Sequence, residues 1–284
     1  MKKSVKSFAK INISLDIVKK REDGYHELDS IMLPIELHDS IIIETLKSSV
    51  DNFVTVDDFS NGLIHYNLCS SAIDAMAKKY SFSTKFRIFI HKNIPMQAGL
   101  GGGSSNAAFT IKAVNEMLKL NASEQEMIDI ATPLGADIPF FIPCTPARCR
   151  GIGEKVEPIE IKNNYFVLLV KPNVGCSTKE VFAIADSTQL KHPDIETVLK
   201  ALREGNDELL ASSIGNSLEE PAVKVAPEIA QLKQILKDNG LDIVLMSGSG
   251  STVFALSTDV SKLKKVAKQL EDHYFVEVCK VLKK

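Results

Sequence analysis

Two groups of residues in this 284-residue sequence have types and spacing suited to chemistry. The first is Pro95-Met96-Gln97-Ala98-Gly99-Leu100-Gly101-Gly102-Gly103-Ser104-Ser105, which lies between an alternating apolar segment and a helical one. Glycine lets backbone N–H groups come close to a ligand. A helix that begins here aims its unpaired N–H donors and its partial positive charge at the loop. Phosphate is the natural occupant of such a place, and Ser104 and Ser105 add hydroxyls for phosphate oxygens or a metal. Each glycine costs about 1 kcal/mol of order relative to alanine, which a plain linker has no reason to carry.

The second group is Lys10, Asn12 and Asp137. Lys10 and Asn12 share the polar side of an alternating segment. Asp137 sits among Ala136, Ile138, Phe140 and Phe141, after a helix-ending Gly135. A carboxylate in apolar surroundings is costly without a partner, and an ammonium beside it keeps it ionised. Lys10 is the candidate partner. Such a pair can take a proton from an alcohol and stabilise the alkoxide that develops. Taken alone, Asp137 reads equally well as a turn residue, and Lys10 reads more readily as a solvated strand lysine.

The elements that must position these residues follow from periodicity. Ile11, Ile13, Leu15 and Ile17 alternate with Lys10, Asn12, Ser14 and Asp16, which predicts a half-buried strand. Asp23-Gly24 marks a hairpin turn. Tyr25-His26 open a second segment, with an apolar run at Ile31–Ile35, and Ile41–Ile43 reads as another strand. A helix is expected over Asn67–Lys79 and a strand around Phe86, Ile88 and Ile90. Ala107, Ile111, Val114 and Leu118 form one face of a helix after the glycines. Ser123 and Glu126 spell a capping box for the next helix, with Gly135 placed to end it. Composition shifts between Pro143 and Pro158, and Tyr165–Val170 is then a continuous apolar strand. Later strands are expected at Ile243–Leu245, Thr252–Leu256 and Phe275–Val278, with a lysine-rich helix over Ser261–Leu270. Strands mixed with helices in both halves indicate an α+β, two-domain chain divided at about residue 160.

Composition excludes several classes. With 34 basic and 36 acidic residues the net charge is −2, so a nucleic-acid coat is not expected. Cys69, Cys144, Cys149, Cys176 and Cys279 are odd in number and show no CxxC spacing, which favours reduced thiols and a cytoplasmic setting. The N-terminus alternates and is not a signal peptide. No stretch approaches the ~18 apolar residues of a membrane span.

The common phosphate-binding motifs fail by spacing. No lysine follows the glycines as a P-loop requires, and Ser104 replaces the third glycine of the dinucleotide pattern. HRD and DFG are absent, as is GxSxG despite Ser247-Gly248-Ser249-Gly250-Ser251. What remains resembles the GHMP kinase family, whose second motif is a proline, three residues, then Gly-Leu-Gly and serines. Phe8-Ala9-Lys10-Ile11-Asn12 with Asp23-Gly24-Tyr25-His26 resembles the first motif of one branch, and Met246–Ser251 resembles its third. Leu134-Gly135-Ala136-Asp137-Ile138-Pro139 and Gly151-Ile152-Gly153-Glu154 also fit. These five matches run in family order from Lys10 to Ser251; the likeness is weakest between about 185 and 240.

The resemblance implies a two-domain fold: an N-terminal mixed sheet with helices, the ATP-binding domain, over 1–160, and a C-terminal ferredoxin-like α/β sandwich over 161–284. It implies ATP-dependent phosphorylation of the 2-hydroxyl of 4-diphosphocytidyl-2-C-methyl-D-erythritol, within the methylerythritol phosphate route to isoprenoid precursors. Lys10 and Asp137 are then the catalytic pair. Pro95 to Ser105 hold the triphosphate, and Lys92 lies near the adenine. Tyr25 stacks on the cytosine, His26 hydrogen-bonds to it, Phe182 is the second stacking ring, and Asn12 binds substrate. Mg2+ is expected for charge neutralisation, with no acidic motif naming its ligands and either serine able to face it. A monomer or weak homodimer with no membrane partner is expected. Two alternatives stand beside this: a GHMP kinase for homoserine or mevalonate, and a nucleotide-binding regulator or RNA-binding module. Gly24-Tyr25-His26 and the triple glycine count against the first, near-neutral charge and the retained Lys10 and Asp137 against the second.

Overall fold

Apolar alternation and glycine punctuation give ten strands and nine helices in the described residues of the computed structural model, which are 1–47, 51–57 and 67–283. In chain order they are β1 (Lys2–Lys20), β2 (His26–Leu46), β3 (Phe53–Asp57), α1 (Leu68–Tyr80), β4 (Lys85–His91), α2 (Gly102–Leu118), α3 (Glu124–Ala131), β5 (Ala147–Gly151), β6 (Lys155–Pro158), β7 (Phe166–Lys171), α4 (Thr178–Ala185), α5 (Ile195–Glu204), α6 (Asp207–Ser213), α7 (Glu219–Val225), α8 (Glu228–Asp238), β8 (Ile243–Met246), β9 (Val253–Ser257), α9 (Val260–Leu270) and β10 (Phe275–Lys280). Two short 3-10 turns, Thr132–Leu134 and Pro139–Phe141, follow α3. Among the described residues no helix is long and apolar enough to cross a membrane.

The residues form two compact units that interleave along the chain. The first holds 1–9, 37–95 and 101–144; the second holds 10–36, 96–100 and 145–284. In the first unit, Ser40–Leu46 of β2 pairs antiparallel with β4, and β3 pairs parallel with β4. The inward faces carry Ile41, Ile43, Phe86, Ile88 and Ile90, all buried, as are Ala72, Ile73 and Met76 of α1 and Ala107, Ile111 and Val114 of α2. Asn67 caps α1 by accepting from the Cys69 N–H at 2.8 Å. The Ser123–Glu126 capping box starts α3, and Gly135 follows the 3-10 turn that extends it.

In the second unit, the Arg21–Gly24 turn joins β1 to β2, with Gly24 at φ +86° and the Arg21 N–H donating to the Tyr25 carbonyl at 2.8 Å. Leu28–Met32 of β2 pairs with β5, which pairs with β6. A separate antiparallel sheet has the order β10-β7-β9-β8. With helices between β7 and β8 and between β9 and β10, this is the split βαβ arrangement expected of a ferredoxin-like sandwich. Its core joins Leu168, Val170, Val253 and Ala255 to Leu232, Leu236, Leu263 and Val266.

Three local expectations change. Ile31–Ile35 and Ile41–Ile43 belong to one strand, β2, because the polar residues between them do not break the ladder. β1 is not half-buried around Lys10: Lys10, Asn12 and Ser14 are as buried as the isoleucines between them. Gly102 and Gly103 are not loop residues but the first turn of α2.

Candidate functional site

The candidate residues divide between the units. Lys92, Pro95, Gly101, Gly102, Gly103, Ser104, Ser105 and Asp137 lie in the first; Lys10, Asn12, Tyr25, His26, Met96, Gln97, Ala98, Gly99, Leu100 and Phe182 lie in the second.

In the first unit, Gly101 caps α2 at φ +70° with no side-chain cap, so the helix presents bare N–H donors at its start. The Ser105 N–H closes the first turn onto the Gly101 carbonyl at 2.8 Å. The Ser105 hydroxyl is spent on the Phe8 carbonyl at 2.6 Å and its side chain is buried, whereas Ser104 is half-buried. A Cβ on Gly102 would meet Ile94 and the Lys92 ammonium at 3.0–3.1 Å. A Cβ on Gly103 would meet only Leu68, at 3.9 Å, so nothing in this unit requires a glycine there. The helix start therefore fits a phosphate group, which would occupy the space a side chain at Gly103 would fill.

Behind this turn lies a carboxylate that the sequence did not single out. Asp39 is fully buried on β2 and accepts from the Lys92 ammonium, from the Asn93 and Ile94 N–H groups at 2.8 Å each, and from the Asn106 carboxamide at 3.0 Å. It ties the segment before the glycines to α2. Asn106 in turn accepts from the Ser7 hydroxyl at 2.5 Å. Lys92 is thus an anchor of this network as well as a candidate near the adenine. Asp39→Asn is expected to cost about 3 kcal/mol, because the amide NH2 would replace one oxygen and face two of the four donors in a buried place; denaturant unfolding measures it. Asp137 sits half-buried between the two 3-10 turns, where the Ile138 N–H closes onto the Gly135 carbonyl at 3.1 Å.

In the second unit, Lys10 is only 3% exposed, and its ammonium donates to Asn12 Oδ1 at 2.5 Å. The orientation of Asn12 is fixed. Its Nδ2 donates to the Ser30 hydroxyl at 2.8 Å, and that hydroxyl donates onward to the Ser14 carbonyl at 2.7 Å. The amide oxygen is left to face the ammonium. The Asn12 N–H donates to the Ser247 hydroxyl at 3.2 Å, which donates to the Gly99 carbonyl at 2.9 Å. The Lys10 N–H binds the Leu100 carbonyl at 3.1 Å. Strand β1, residues 96–100 and the 247–251 turn are therefore stitched together around Lys10. Asn216 holds the turn from behind, donating to the Met246 and Gly248 carbonyls at 2.9 and 2.8 Å. Within the 96–100 segment Ala98 and Leu100 are buried anchors, while Met96 and Gln97 are exposed.

At the other end of the β1–β2 hairpin Tyr25 is 59% exposed, a flat ring open to stacking. His26 packs on Phe182 with ring centroids 4.8 Å apart. Asp186 accepts from the Lys20 ammonium at 2.5 Å and meets His26 Nε2 at 2.7 Å. The structure thus brings His26 and Phe182 together.

Residues 67–143 match the GHMP kinases N terminal domain and residues 190–276 match the GHMP kinases C terminal domain. The 4-diphosphocytidyl-2-C-methyl-D-erythritol kinase of Clostridium beijerinckii is 38% identical over 276 residues, covering 95% of this chain and 96% of that one. The same-named protein of Bacillus subtilis is 37% identical over 267 residues, covering 92% and 90%. A crystal structure of 4-(cytidine 5'-diphospho)-2C-methyl-D-erythritol kinase matches with a TM-score of 0.81 over 98% of this chain and 99% of that one, at 28% identity. The chain belongs to the GHMP kinases, in the family of 4-diphosphocytidyl-2-C-methyl-D-erythritol kinases.

For a GHMP kinase the residues missed by sequence reasoning are informative. Asp39 stands between the apolar segments Ile31–Ile35 and Ile41–Ile43, where the sequence suggested a break and not a buried strand position. Asn216 and Asp186 lie in the stretch of weakest likeness, so no motif pointed to them. Among the described residues no group of three His, Cys, Asp or Glu side chains could hold a metal ion.

Proposed function

We propose that this GHMP kinase uses ATP to phosphorylate the 2-hydroxyl of 4-diphosphocytidyl-2-C-methyl-D-erythritol, in the methylerythritol phosphate route to isoprenoid precursors. The observation that carries this reading is the likeness to kinases of that name along nearly the whole of both chains. Bound at the start of α2, ATP with Mg2+ would supply the phosphoryl group and part of the charge neutralisation.

This chain's own residues have the following roles. Backbone N–H groups from Gly101 to Ser104 hold phosphate oxygens, and the Ser104 hydroxyl would be the one left to face a metal, since the Ser105 N–H and hydroxyl are committed to the Gly101 and Phe8 carbonyls. Pro95 to Leu100 frame the same loop, and Lys92 serves the adenine side. Asp137 takes the proton of the acceptor hydroxyl, and Lys10 stabilises the oxygen as it gains charge. Asn12 orients the Lys10 ammonium and meets the acceptor. Tyr25 and Phe182 stack on the cytosine, and His26 hydrogen-bonds to it. Positioning and charge neutralisation are what phosphoryl transfer chiefly asks of a protein.

The division into 1–160 and 161–284 belongs to the same proposal; the two family domains match on either side of it. So does a cytoplasmic monomer or weak homodimer without nucleic-acid or membrane partners.

An acceptor panel tests the function. ADP release is expected with 4-diphosphocytidyl-2-C-methyl-D-erythritol and not with homoserine or mevalonate, and phosphorus NMR should place the new phosphate on the 2-hydroxyl. Turnover of homoserine or mevalonate alone rejects the reading. ATP binding without turnover of any acceptor would favour the regulator.

A further inference from the structure

Helix α4 carries Phe182 and Asp186 four residues apart, so a ring and a carboxylate share one helix face. Both meet His26, whose side chain is 11% exposed: the ring packs at 4.8 Å, and the carboxylate lies 2.7 Å from Nε2. Asp186 is the C-terminal cap of α4, and its N–H donates to the Phe182 carbonyl at 3.0 Å. A negative charge at a helix C-terminus opposes the helix dipole. Here Lys20, and then His26, offset it and hold the Asp186 carboxyl below the ordinary carboxylate range. The group therefore stays a carboxylate, which only accepts hydrogen bonds.

A carboxylate against Nε2 requires the proton on Nε2. In the neutral ring the lone pair is then on Nδ1, which becomes an acceptor. An acceptor matches an exocyclic amino group, such as the 4-amino group of cytosine. It opposes the 4-oxo group of uracil, where two lone pairs would meet without a proton between them. We infer that Asp186 is a positioning residue that fixes the tautomer of His26 and thereby makes the base site select cytosine over uracil. This rests on the reading that His26 meets the base, and it adds both the residue that sets the hydrogen-bond sense and the selectivity that follows.

Two measurements test it. Nitrogen NMR on histidine-labelled free protein, with pH raised until the His26 ring is neutral, reports the tautomer without any substrate. The Nε2–H form is expected in the unchanged protein and a mixture of both forms in Asp186→Ala. Steady-state kinetics with cytidine- and uridine-linked acceptors reports selectivity. In Asp186→Ala the ratio of kcat/KM for the two is expected to fall about tenfold, through KM for the cytidine-linked acceptor, with kcat and the KM for ATP held. Asp186→Asn should fall between, since its oxygen still accepts. Lys20→Ala removes the ion pair and should keep both the tautomer and the ratio. An Nδ1–H tautomer in the unchanged protein overturns the proposal even if the kinase activity stands. So does a ratio unmoved in Asp186→Ala, or one lost equally in Lys20→Ala. Failure of the functional reading would look different: the unchanged protein would phosphorylate no cytidine-linked acceptor, and the selectivity would fall with it.

Discussion

Lys10→Ala and Asp137→Asn are each expected to lower turnover by roughly 10²- to 10⁴-fold while ATP affinity stays within a few-fold. The expectation for Lys10 comes from its setting. A lysine that is 3% exposed has left water at a cost, and Asn12 Oδ1 at 2.5 Å is one of the groups that receive its ammonium. The chain builds a relay to fix that oxygen: Asn12 donates to Ser30, and Ser30 donates to the Ser14 carbonyl. Such a relay aims an ammonium, and aim matters most for a charge that acts in the transition state. Asp137→Asn keeps shape and removes basicity, so its loss should fall on kcat rather than on folding. Neither residue belongs to the start of α2, where the unpaired N–H donors proposed to hold phosphate are. Single-turnover rates with acceptor, paired with calorimetric titration of a non-hydrolysable ATP analogue, separate the two effects. If analogue affinity collapsed while turnover per bound complex stayed normal, both roles would be wrongly assigned.

What the sequence made legible depended on which physical signal each feature leaves. Alternation from Lys10 to Ile17 identified the strand and the residues sharing a side, because side-chain direction has period two. It was silent on what covers each side, and Gly248 of the 247–251 turn lies against the Lys10 and Asn12 side chains on the polar side. Ile31–Ile35 and Ile41–Ile43 looked like separate strands because Asp39 stands between them, and a buried acid is rarely a strand-interior residue. Four donors, two of them backbone N–H groups from residues 93 and 94, make it one here. The triple glycine read as loop because glycine is a poor helix former. The closeness of Ile94 and Lys92 to Gly102 is what favours a glycine in the first turn of that helix. Phe182 was found through the resemblance, yet Asp186, one turn later, was not. Its meaning depends on His26, which lies 160 residues away in sequence.

Gly99→Ala is expected to cost about 3 kcal/mol or more and to abolish activity, whereas Gly103→Ala should fold at least as well as the native chain and lose ATP affinity. The contrast separates two reasons for a glycine. Gly99 has φ +72°, and a Cβ there would lie inside the contact radius of the Ser247 carbonyl oxygen, 2.9 Å from the carbonyl carbon and 3.2 Å from the Gly250 nitrogen. All three are backbone atoms, so no rotamer relieves the clash. The Ser247 turn cannot recede without loss. Its N–H donates to the Thr252 carbonyl at 2.9 Å, its carbonyl accepts from Gly250 at 3.0 Å, and Asn216 holds the carbonyls of residues 246 and 248. Positive φ adds strain of its own for any residue with a Cβ. Gly103 is helical, and its Cβ would meet only Leu68 at 3.9 Å, so alanine should gain up to about 1 kcal/mol of helix propensity. What that methyl would obstruct is a phosphate drawn up to the N–H donors of the first turn. Denaturant unfolding and nucleotide titration of the two variants decide the matter. A Gly99→Ala chain as stable as the native one would remove the argument for the stitched loops around Lys10. A Gly103→Ala chain that binds ATP normally would show that the triple glycine is not the phosphate cradle.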